Sequence, residues 1–272
     1  MSYPSVYNQK TVIITGAASG IGKELATLLN EQKAKLYLLD LNEEGLQELS
    51  KKLRQFNPNV FTFSLDVSDH KSYESFYHEF LKNETCPDYL FNNAGIGLGG
   101  ETKDFPFQSW RKIIDVNLFG TVNGIHFFYP LMVENKKGHI VNTSSLAGLV
   151  PLPGESSYVA SKYAIQGLTE VLEIEASFYN VKVTAVCPGV IQTPIYDTGE
   201  VIGMDKDKVL KLWPKGISAE KCAQIILKGV AKNKRTIVVT SFAKAVFLAK
   251  RYFPSLLRKA FIHYFSQVRK SN

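Results

Sequence analysis

Seven short apolar runs alternate with stretches of helical periodicity along most of the chain. The runs are rich in β-branched and aromatic residues and lie at 11–15, 35–40, 60–65, 89–91, 139–143, 182–186 and 236–240. Helical stretches such as 23–32 and 158–179 lie between most of them. Strands separated by helices pair in parallel through crossover connections. The alternation therefore predicts an α/β fold built on a doubly wound, Rossmann-type, seven-stranded parallel sheet.

The chain is predicted to form a single domain. Its 272 residues are within the range that one α/β core accommodates, and no repeat or linker divides them. The segment 193–216 interrupts the alternation with proline, glycine and charged residues, which indicates an insertion over the carboxyl edge of the sheet. The predicted organisation is a catalytic domain at 1–240, with a substrate loop at 193–216, and a helical extension at 241–272.

Composition excludes several other classes of protein. Hydrophobic residues make up 45% and charged residues 21%, which is ordinary globular usage. No run of about 18 apolar residues predicts a membrane-spanning helix, and the start of the chain lacks the pattern of a secretory signal. Three widely spaced cysteines fit a reducing, cytoplasmic setting, and neither they nor the five histidines have the spacing of a metal site.

The formal net charge is +7, and much of the excess lies after residue 230. Because the basic residues form no stripe interleaved with aromatics along the domain, we expect no nucleic-acid binding. The segment 241–270 is instead basic and amphipathic, and Pro254 is expected to split it into two helices. Two alternatives stay open for it: packing on its own domain or a sister subunit, and peripheral contact with a membrane surface.

A glycine-rich turn follows the first predicted strand. It reads Thr15-Gly16-Ala17-Ala18-Ser19-Gly20-Ile21-Gly22 and leads directly into a helix. The first glycine permits a tight turn, the second lets backbone amides approach a pyrophosphate, and the third allows helix and strand to pack closely. Taken alone, three such glycines also fit a plain strand-to-helix connection.

Asp40 ends the second predicted strand, a little over twenty residues further on. A carboxylate there accepts hydrogen bonds from a ribose diol and repels a 2′-phosphate. No Lys or Arg occupies 17–19, and Leu41 and Asn42 follow Asp40 where a phosphate-binding cation would be expected. The pattern favours NAD over NADP as the cofactor. The alternative for Asp40 is a turn residue at the end of a strand.

Tyr158 and Lys162 lie four residues apart, on one face of a predicted helix. A tyrosine that acts as a base near neutral pH needs its pKa lowered by roughly 3 units from about 10. A neighbouring ammonium group and a cationic nicotinamide both act in that direction. Such a pair is common on helix surfaces, so its interpretation depends on the residues around it.

Those residues make the chain resemble the short-chain dehydrogenase/reductase family. The motifs occur in the family's order over about 10–240: the glycine-rich turn, Asp66-Val67, Asn92-Asn93-Ala94-Gly95, Asn117, Ser144-Ser145, Tyr158 with Lys162, and Pro188-Gly189. The resemblance implies that Tyr158 is the acid/base catalyst and that Lys162 lowers its pKa and binds the nicotinamide ribose. It also implies that Ser145, rather than Ser144, holds the substrate oxygen, and that the Asn117 carbonyl orders a water linked to Lys162.

The resemblance further implies a set of cofactor contacts. Asp66 and Val67 would contact the adenine ring, and the turn from Asn93 to Gly95 would lie beneath the adenosine ribose. Ile191 and Thr193 would hold the carboxamide. With the glycine-rich turn, the predicted cofactor-binding residues are Gly16, Ala18, Ser19, Gly20, Ile21, Gly22, Asp40, Asp66, Val67, Asn93, Ala94, Gly95, Tyr158, Lys162, Ile191 and Thr193.

The predicted activity is hydride transfer between NAD and a secondary alcohol or ketone, by a homodimer or homotetramer. A lipophilic substrate is expected because apolar residues dominate the segments that would contact it: Leu98, Leu149, Val150, Leu152, Ile195, Ile202, Met204, Leu212 and Trp213. The alternatives are a non-catalytic NAD-binding protein and a membrane-surface interaction protein.

Overall fold

The computed structural model describes residues 5–195 and 199–269. Its first part contains β1 (Thr11–Thr15), α1 (Gly20–Glu31), β2 (Lys35–Asp40), α2 (Glu43–Leu53), β3 (Val60–Ser64), α3 (His70–Leu81), β4 (Tyr89–Asn92), β5 (Leu98–Gly100), α4 (Phe107–Ile113), a π-helical segment (Ile114–Phe119), α5 (Gly120–Glu134) and β6 (His139–Thr143). There follow α6 (Ser156–Ala176), β7 (Lys182–Cys187), β8 (Ile191–Gln192), β9 (Glu200–Ile202), α7 (Lys206–Leu212), β10 (Ile217–Ser218), α8 (Ala219–Ala231), β11 (Thr236–Val238), α9 (Ser241–Tyr252) and α10 (Pro254–Val268).

Seven strands form one parallel sheet in the order β11, β7, β6, β4, β1, β2, β3. The predicted doubly wound, Rossmann-type fold is confirmed. β1 pairs with β2 on one side and with β4 on the other, so the strand order reverses at β1. In such sheets ligands bind in the crevice at the carboxyl ends of the strands beside this reversal.

Helices cover both faces of the sheet, as the burial of alternating residues of β1 shows. Val12 and Ile14 are fully buried in the cluster that contains α1, α2 and α8, whereas Ile13 is fully buried in the one that contains α3, α5 and α6. Strands buried on both faces are apolar throughout rather than alternating, which is the pattern of the seven runs. The two cores hold the carboxyl edge of the sheet in place.

The C-terminal extension packs on its own domain, which was one of the two predicted alternatives. Ala243 is fully buried in a third apolar cluster with Leu149, Val150 and Cys187. Pro254 begins α10 and separates it from α9, as predicted. Residues 270–272 of this extension, and 196–198 of the 193–216 insertion, lie outside the described residues.

Several predicted boundaries need correction. The last strand ends at Val238 rather than at residue 240, because the Thr240 hydroxyl accepts a hydrogen bond from the Ala243 amide and caps α9. The long helix begins at Ser156, and its predicted end at 177–179 is a 3₁₀ turn. The first helix begins at Gly20 instead of residue 23. The pairs of β5 with β9 and of β8 with β10 were not predicted.

Candidate active site

A cavity of about 750 Å³ lies at the carboxyl edge of the sheet. All but two of the predicted cofactor-binding residues line it: Gly16, Ser19, Gly20, Ile21, Asp40, Asp66, Val67, Asn93, Ala94, Gly95, Tyr158, Lys162, Ile191 and Thr193. The two that do not are Ala18 and Gly22. Residues far apart in the sequence meet here because parallel strands end at a common edge.

The glycine-rich turn makes two demands on the backbone. Gly16 has φ +67°, a left-handed conformation that favours glycine. A Cβ on Gly22 would lie 2.0 Å from the Gly16 carbonyl oxygen, so a larger residue could not pack this closely against the turn. Asn93 braces the same turn, since its side-chain amide donates to the Thr15 carbonyl at 3.1 Å. One side of the turn is closely packed against Gly22 and Asn93, and residues of the turn line the cavity.

Asp40 serves this turn and also faces the cavity. Its two carboxylate oxygens accept hydrogen bonds from the Ala18 amide and the Asn42 amide, each at 2.9 Å. Asp40 therefore has the turn role that the sequence left open as an alternative. The same bond directs the Ala18 amide at Asp40, and Ala18 is one of the two predicted residues that do not line the cavity. A carboxylate offers about four lone-pair sites, so capacity remains to accept bonds from a ribose.

Tyr158, Lys162 and Ser145 lie together in the wall of the cavity. Tyr158 and Lys162 are on the first turns of α6, and the Lys162 Nζ is 5.6 Å from the centre of the Tyr158 ring. Lys162 is buried, and its Nζ donates to the Thr143 carbonyl at 2.9 Å, which fixes the ammonium at the end of β6. The Ser145 side chain lies near enough to the Tyr158 phenol to lower its pKa.

The two adjacent serines differ in their partners. Ser144 is buried, and its hydroxyl donates to the Lys162 carbonyl at 2.9 Å, so it joins the end of β6 to α6. Ser145 precedes a short 3₁₀ turn and accepts from the Ala147 amide at 3.1 Å, and its side chain acts to lower the pKa of Tyr158. Of the two serines, Ser145 is therefore the one whose side chain acts on the phenol, whereas the Ser144 hydroxyl is held by α6.

Burial dominates the pKa values in this cluster. It raises the pKa of Tyr158, which is opposite to what a base requires, although the hydrogen bond with Ser145 acts to lower it. Burial also lowers the pKa of Lys162 to about 8, because a desolvated ammonium is disfavoured. The expected lowering of the Tyr158 pKa is therefore not produced by the protein's own side chains.

Asn117 lies behind the cluster, in the π-helical segment, and is not part of the cavity wall. Its side chain accepts from the Ile96 amide at 2.8 Å and donates to the Ile96 carbonyl at 3.0 Å. It also donates to the Ser161 hydroxyl at 3.1 Å. Asn117 thereby holds the loop that follows β4 against α6. Single π turns inside helices are frequent at functional sites.

Glu155 is a cavity residue that the sequence did not single out. It lines the cavity just before α6 begins, three residues from Tyr158. Burial raises the pKa of Glu155 to about 8, and its negative charge raises the pKa of Tyr158. A lone acid in a loop carries no sequence pattern, so only the fold could identify it.

Several apolar side chains line the cavity beyond Tyr158, and Glu155, Glu200 and Lys206 also lie in the cavity wall. Four of the expected residues line it, together with two from α7: Leu98, Leu152, Ile195, Trp213, Val209 and Leu210. The other five do not, because Leu149 and Val150 pack under α9, and Met204 is buried against Gly154. Ile202 pairs with β5, and Leu212 is largely exposed.

Metal clusters and membrane spans are both missing from residues 5–195 and 199–269. Among these residues, no three His, Cys, Asp or Glu side chains gather in a way that could hold a metal ion. No helix within the same ranges has both the length and the apolar character needed to cross a membrane.

Two solved structures share the fold. A short chain dehydrogenase/reductase from Burkholderia phymatum in complex with NAD has a TM-score of 0.83 at 27% identity, and the match covers 92% of this chain and 95% of that one. A short-chain dehydrogenase from Sphingobium yanoikuyae in complex with NADPH has a TM-score of 0.78 at 24% identity and covers 97% of each chain.

Sequence comparison identifies the family. Residues 10–200 match the family described as short chain dehydrogenase, and this match extends over the glycine-rich turn and the cluster around Tyr158. SadH of Mycobacterium tuberculosis is 36% identical over 257 residues, covering 92% of this chain and 93% of SadH. The chain therefore belongs to the short-chain dehydrogenase/reductase family of oxidoreductases.

Proposed function

We propose that this protein is an NAD-dependent oxidoreductase that interconverts a lipophilic secondary alcohol and its ketone. The observation that carries the proposal is the cluster of Ser145, Tyr158 and Lys162 in the wall of a cavity that also contains the glycine-rich turn. A nicotinamide dinucleotide fits this turn, since Gly16, Ser19, Gly20 and Ile21 line the cavity and the turn leads into the N-terminus of α1. The spare acceptor capacity of Asp40 favours NAD over NADP.

In the oxidative direction, Tyr158 removes the hydroxyl proton of the alcohol and Ser145 donates a hydrogen bond to the substrate oxygen. Bound nicotinamide, when oxidised, supplies the hydride acceptor and a positive charge. The Lys162 ammonium adds to that charge, and together they offset the effect of burial on the pKa of Tyr158. Lys162 also binds the ribose, and Asn117 keeps the neighbouring loop in place.

The substrate class rests on the apolar residues around Trp213 at the far end of the cavity. Glu155 adds one polar group there, suited to a hydrogen bond with a second polar atom of the substrate. A panel of secondary alcohols of increasing apolar chain length, assayed with NAD, tests this class. We expect kcat/KM to rise with chain length. A preference for small polar sugars would reject the lipophilic substrate.

The nucleotide choice has a test that needs no substrate, because a ligand that binds only the native state raises the melting temperature. We expect a clear rise with NAD and a smaller one with NADP. Asp40→Ala is expected to reduce the rise in melting temperature with NAD, which we call the NAD effect, without reducing the rise with NADP. A larger rise with NADP in the native protein would overturn the choice of NAD. A rise with NAD but no turnover of any alcohol would indicate the non-catalytic alternative.

A further part of the proposal is a homodimer in the cytoplasm. The outer face of α6 and the turn after it expose Val171, Ile174 and Phe178, the last of which is 83% exposed. An apolar stripe on a long helix suits a symmetric contact with a second copy. Light scattering measures the mass, and a monomer at micromolar concentration would contradict the dimer.

The three cysteines are free and buried, which fits a reducing compartment such as the cytoplasm.

A further inference from the structure

The helices α9 and α10 form what we call the C-terminal helix pair. One face of each helix is turned to the domain. The side chains on these inner faces recur at helical spacing and are at least partly buried: Ala243, Val246, Phe247 and Lys250 in α9, and Leu257, Phe261, Tyr264, Phe265 and Val268 in α10. Such a stripe is what an amphipathic helix needs in order to pack on its own domain.

Specific hydrogen bonds hold the pair in place. The Lys250 Nζ donates to the Leu149 carbonyl and to the Tyr163 hydroxyl, each at 2.6 Å. At the other end, the Asp205 amide donates to the Val268 carbonyl at 3.1 Å. Because both helices are bonded to the domain, their outer face is a defined surface of the folded protein.

That outer face is apolar where the two helices meet. Tyr252, Phe253 and Leu256 are 62%, 63% and 67% exposed, and they lie within five consecutive residues. Leu248, one turn before Tyr252, and Ile262 on α10 are also largely exposed. Single exposed apolar residues are ordinary, whereas a contiguous patch with aromatic side chains marks an interaction surface.

The same segment carries the entire net charge of the protein. Residues 241–272 contain seven Lys and Arg and no acidic residue, and the formal charge of the whole chain is +7. Lys250 is used by its inward bonds, and Arg269 pairs with Glu101 at 3.4 Å. Lys270 lies outside the described residues. The other four cations are exposed and form no ion pair with any described residue: Lys244, Arg251, Arg258 and Lys259. They flank the apolar patch on both helices.

We infer that the C-terminal helix pair docks on an anionic phospholipid surface. The apolar side chains at the junction, from Tyr252 to Leu256, enter the region of the lipid headgroups, and the four cations bind the phosphates around them. Aromatic and leucine side chains with flanking Lys and Arg are the composition that lies in a membrane interface. A negative leaflet attracts each cation close to it.

Charge argues against a second copy as the occupant of this face. A symmetric contact through the same surface would bring four cations against the same four cations of the partner, which is unfavourable. The surface of a negatively charged bilayer matches the patch in both its apolar and its charged parts. Because this surface lies outside the cavity, lipid binding does not depend on the proposed activity.

Vesicle co-sedimentation of the full chain tests the inference. The probes are vesicles of phosphatidylcholine alone and of phosphatidylcholine with phosphatidylserine. We expect binding to the second kind only, and loss of binding at high salt because exposed charges are screened. Binding to neither kind, or equal binding to both, would overturn the inference. Removing the helices altogether is unsuitable, since it would uncover the apolar residues beneath them.

Two double variants separate the contributions. Arg258→Glu with Lys259→Glu should weaken binding to the anionic vesicles at least about thirtyfold. Phe253→Ser with Leu256→Ser should weaken it about tenfold or more. Each should keep the melting temperature and the NAD-dependent rise of the native protein. Normal vesicle binding by both variants would exclude this surface as the docking site.

A matched control uses the end of α2 and the turn after it, which also expose two lysines and an aromatic residue. Lys51→Glu with Lys52→Glu, and separately Phe56→Ser at a side chain 82% exposed, should leave vesicle binding unchanged. An equal loss in these controls would mean that binding follows overall charge and contradicts a specific surface. If the C-terminal variants instead change only the mass measured by light scattering, the face is a contact between copies and the inference is wrong.

Discussion

The two ends of the cavity differ in which parts of the chain build them. At what we call the glycine end, Gly16, Asp40 and Asn93 lie at the ends of the strands β1, β2 and β4. At the lid end, much of the wall comes from the 193–216 insertion, including Val209 and Trp213. The glycine end is therefore fixed by the sheet itself, whereas the lid end depends on packing between segments that the sheet does not position.

The C-terminal helix pair adds to this difference. The Trp213 indole donates to the Tyr264 hydroxyl at 2.8 Å, and the Val268 carbonyl accepts from the Asp205 amide, so the insertion is held from outside by α10. A cavity built in this way can keep one cofactor site while its substrate end changes with the lid. Variants at the two ends should accordingly affect different measured quantities.

The largest expected effect comes from the cluster between the two ends. Tyr158→Phe removes the acid/base group and keeps the ring, so we expect kcat to fall by about 10²–10⁴. The rise in melting temperature with NAD should stay near the native value. Tyr179→Phe, at an exposed tyrosine away from the cavity, is the control and should change neither quantity. Native turnover in the Tyr158 variant would remove it from the mechanism.

Gly22→Ala tests whether the glycine end depends on close backbone packing. The new Cβ would meet the Gly16 carbonyl oxygen at 2.0 Å, so the turn must shift. We expect a loss of about 1–3 kcal/mol in the free energy of unfolding and little remaining stabilisation by NAD. Denaturant titration with and without NAD measures both.

The matched control for that variant is Gly167→Ala, in the middle of α6. A Cβ there meets no atom within 4 Å, so it should stabilise the helix by about 0.5–1 kcal/mol. If both variants keep the full NAD effect, close packing of the turn is not what shapes the cofactor site.

The sequence predicted the glycine end well and the lid end poorly, for a physical reason. Hydrophobic periodicity and the turn after β1 are local signals, and parallel pairing then brings the strand ends together without further information. At the lid end, the positions of Leu149, Val150 and Met204 follow from contacts with α9 and Gly154. Those contacts join segments distant in the chain, and no periodicity records them. The rise that burial causes in the pKa of Tyr158 was not predicted, because burial leaves no sequence pattern.

Lys250→Met tests whether the C-terminal helix pair shapes the lid end. The variant keeps an apolar side chain of similar length and removes the bonds to the Leu149 carbonyl and the Tyr163 hydroxyl. We expect the free energy of unfolding to fall by about 1–3 kcal/mol, with a higher KM for the alcohol and an unchanged NAD effect. Lys244→Met, at an exposed position of the same helix, should leave KM unchanged. Equal KM values in the two variants would show that the C-terminal helix pair does not shape the lid end of the cavity.

Glu155→Gln should have no effect at low pH, and its effect should grow as the pH rises. The folded protein raises the pKa of this carboxyl from 4.5 to about 8, so the folded state holds its proton more tightly than the unfolded state does. The resulting stabilisation is fully present below pH 4.5 and is lost as the pH rises through 8. Glutamine mimics the protonated form at every pH, so the variant should match the native melting temperature at low pH and exceed it above pH 8.

Measuring the difference in melting temperature between the variant and the native protein across this pH range removes the contributions of all other titrating groups. The control is Glu48→Gln, an exposed acid on α2, which should leave the melting temperature near the native value. A difference for Glu155→Gln that stays constant across the range would show that the lid end does not bury this carboxyl. A difference in melting temperature that grows with pH would show that burial at the lid end disfavours the charged form of Glu155.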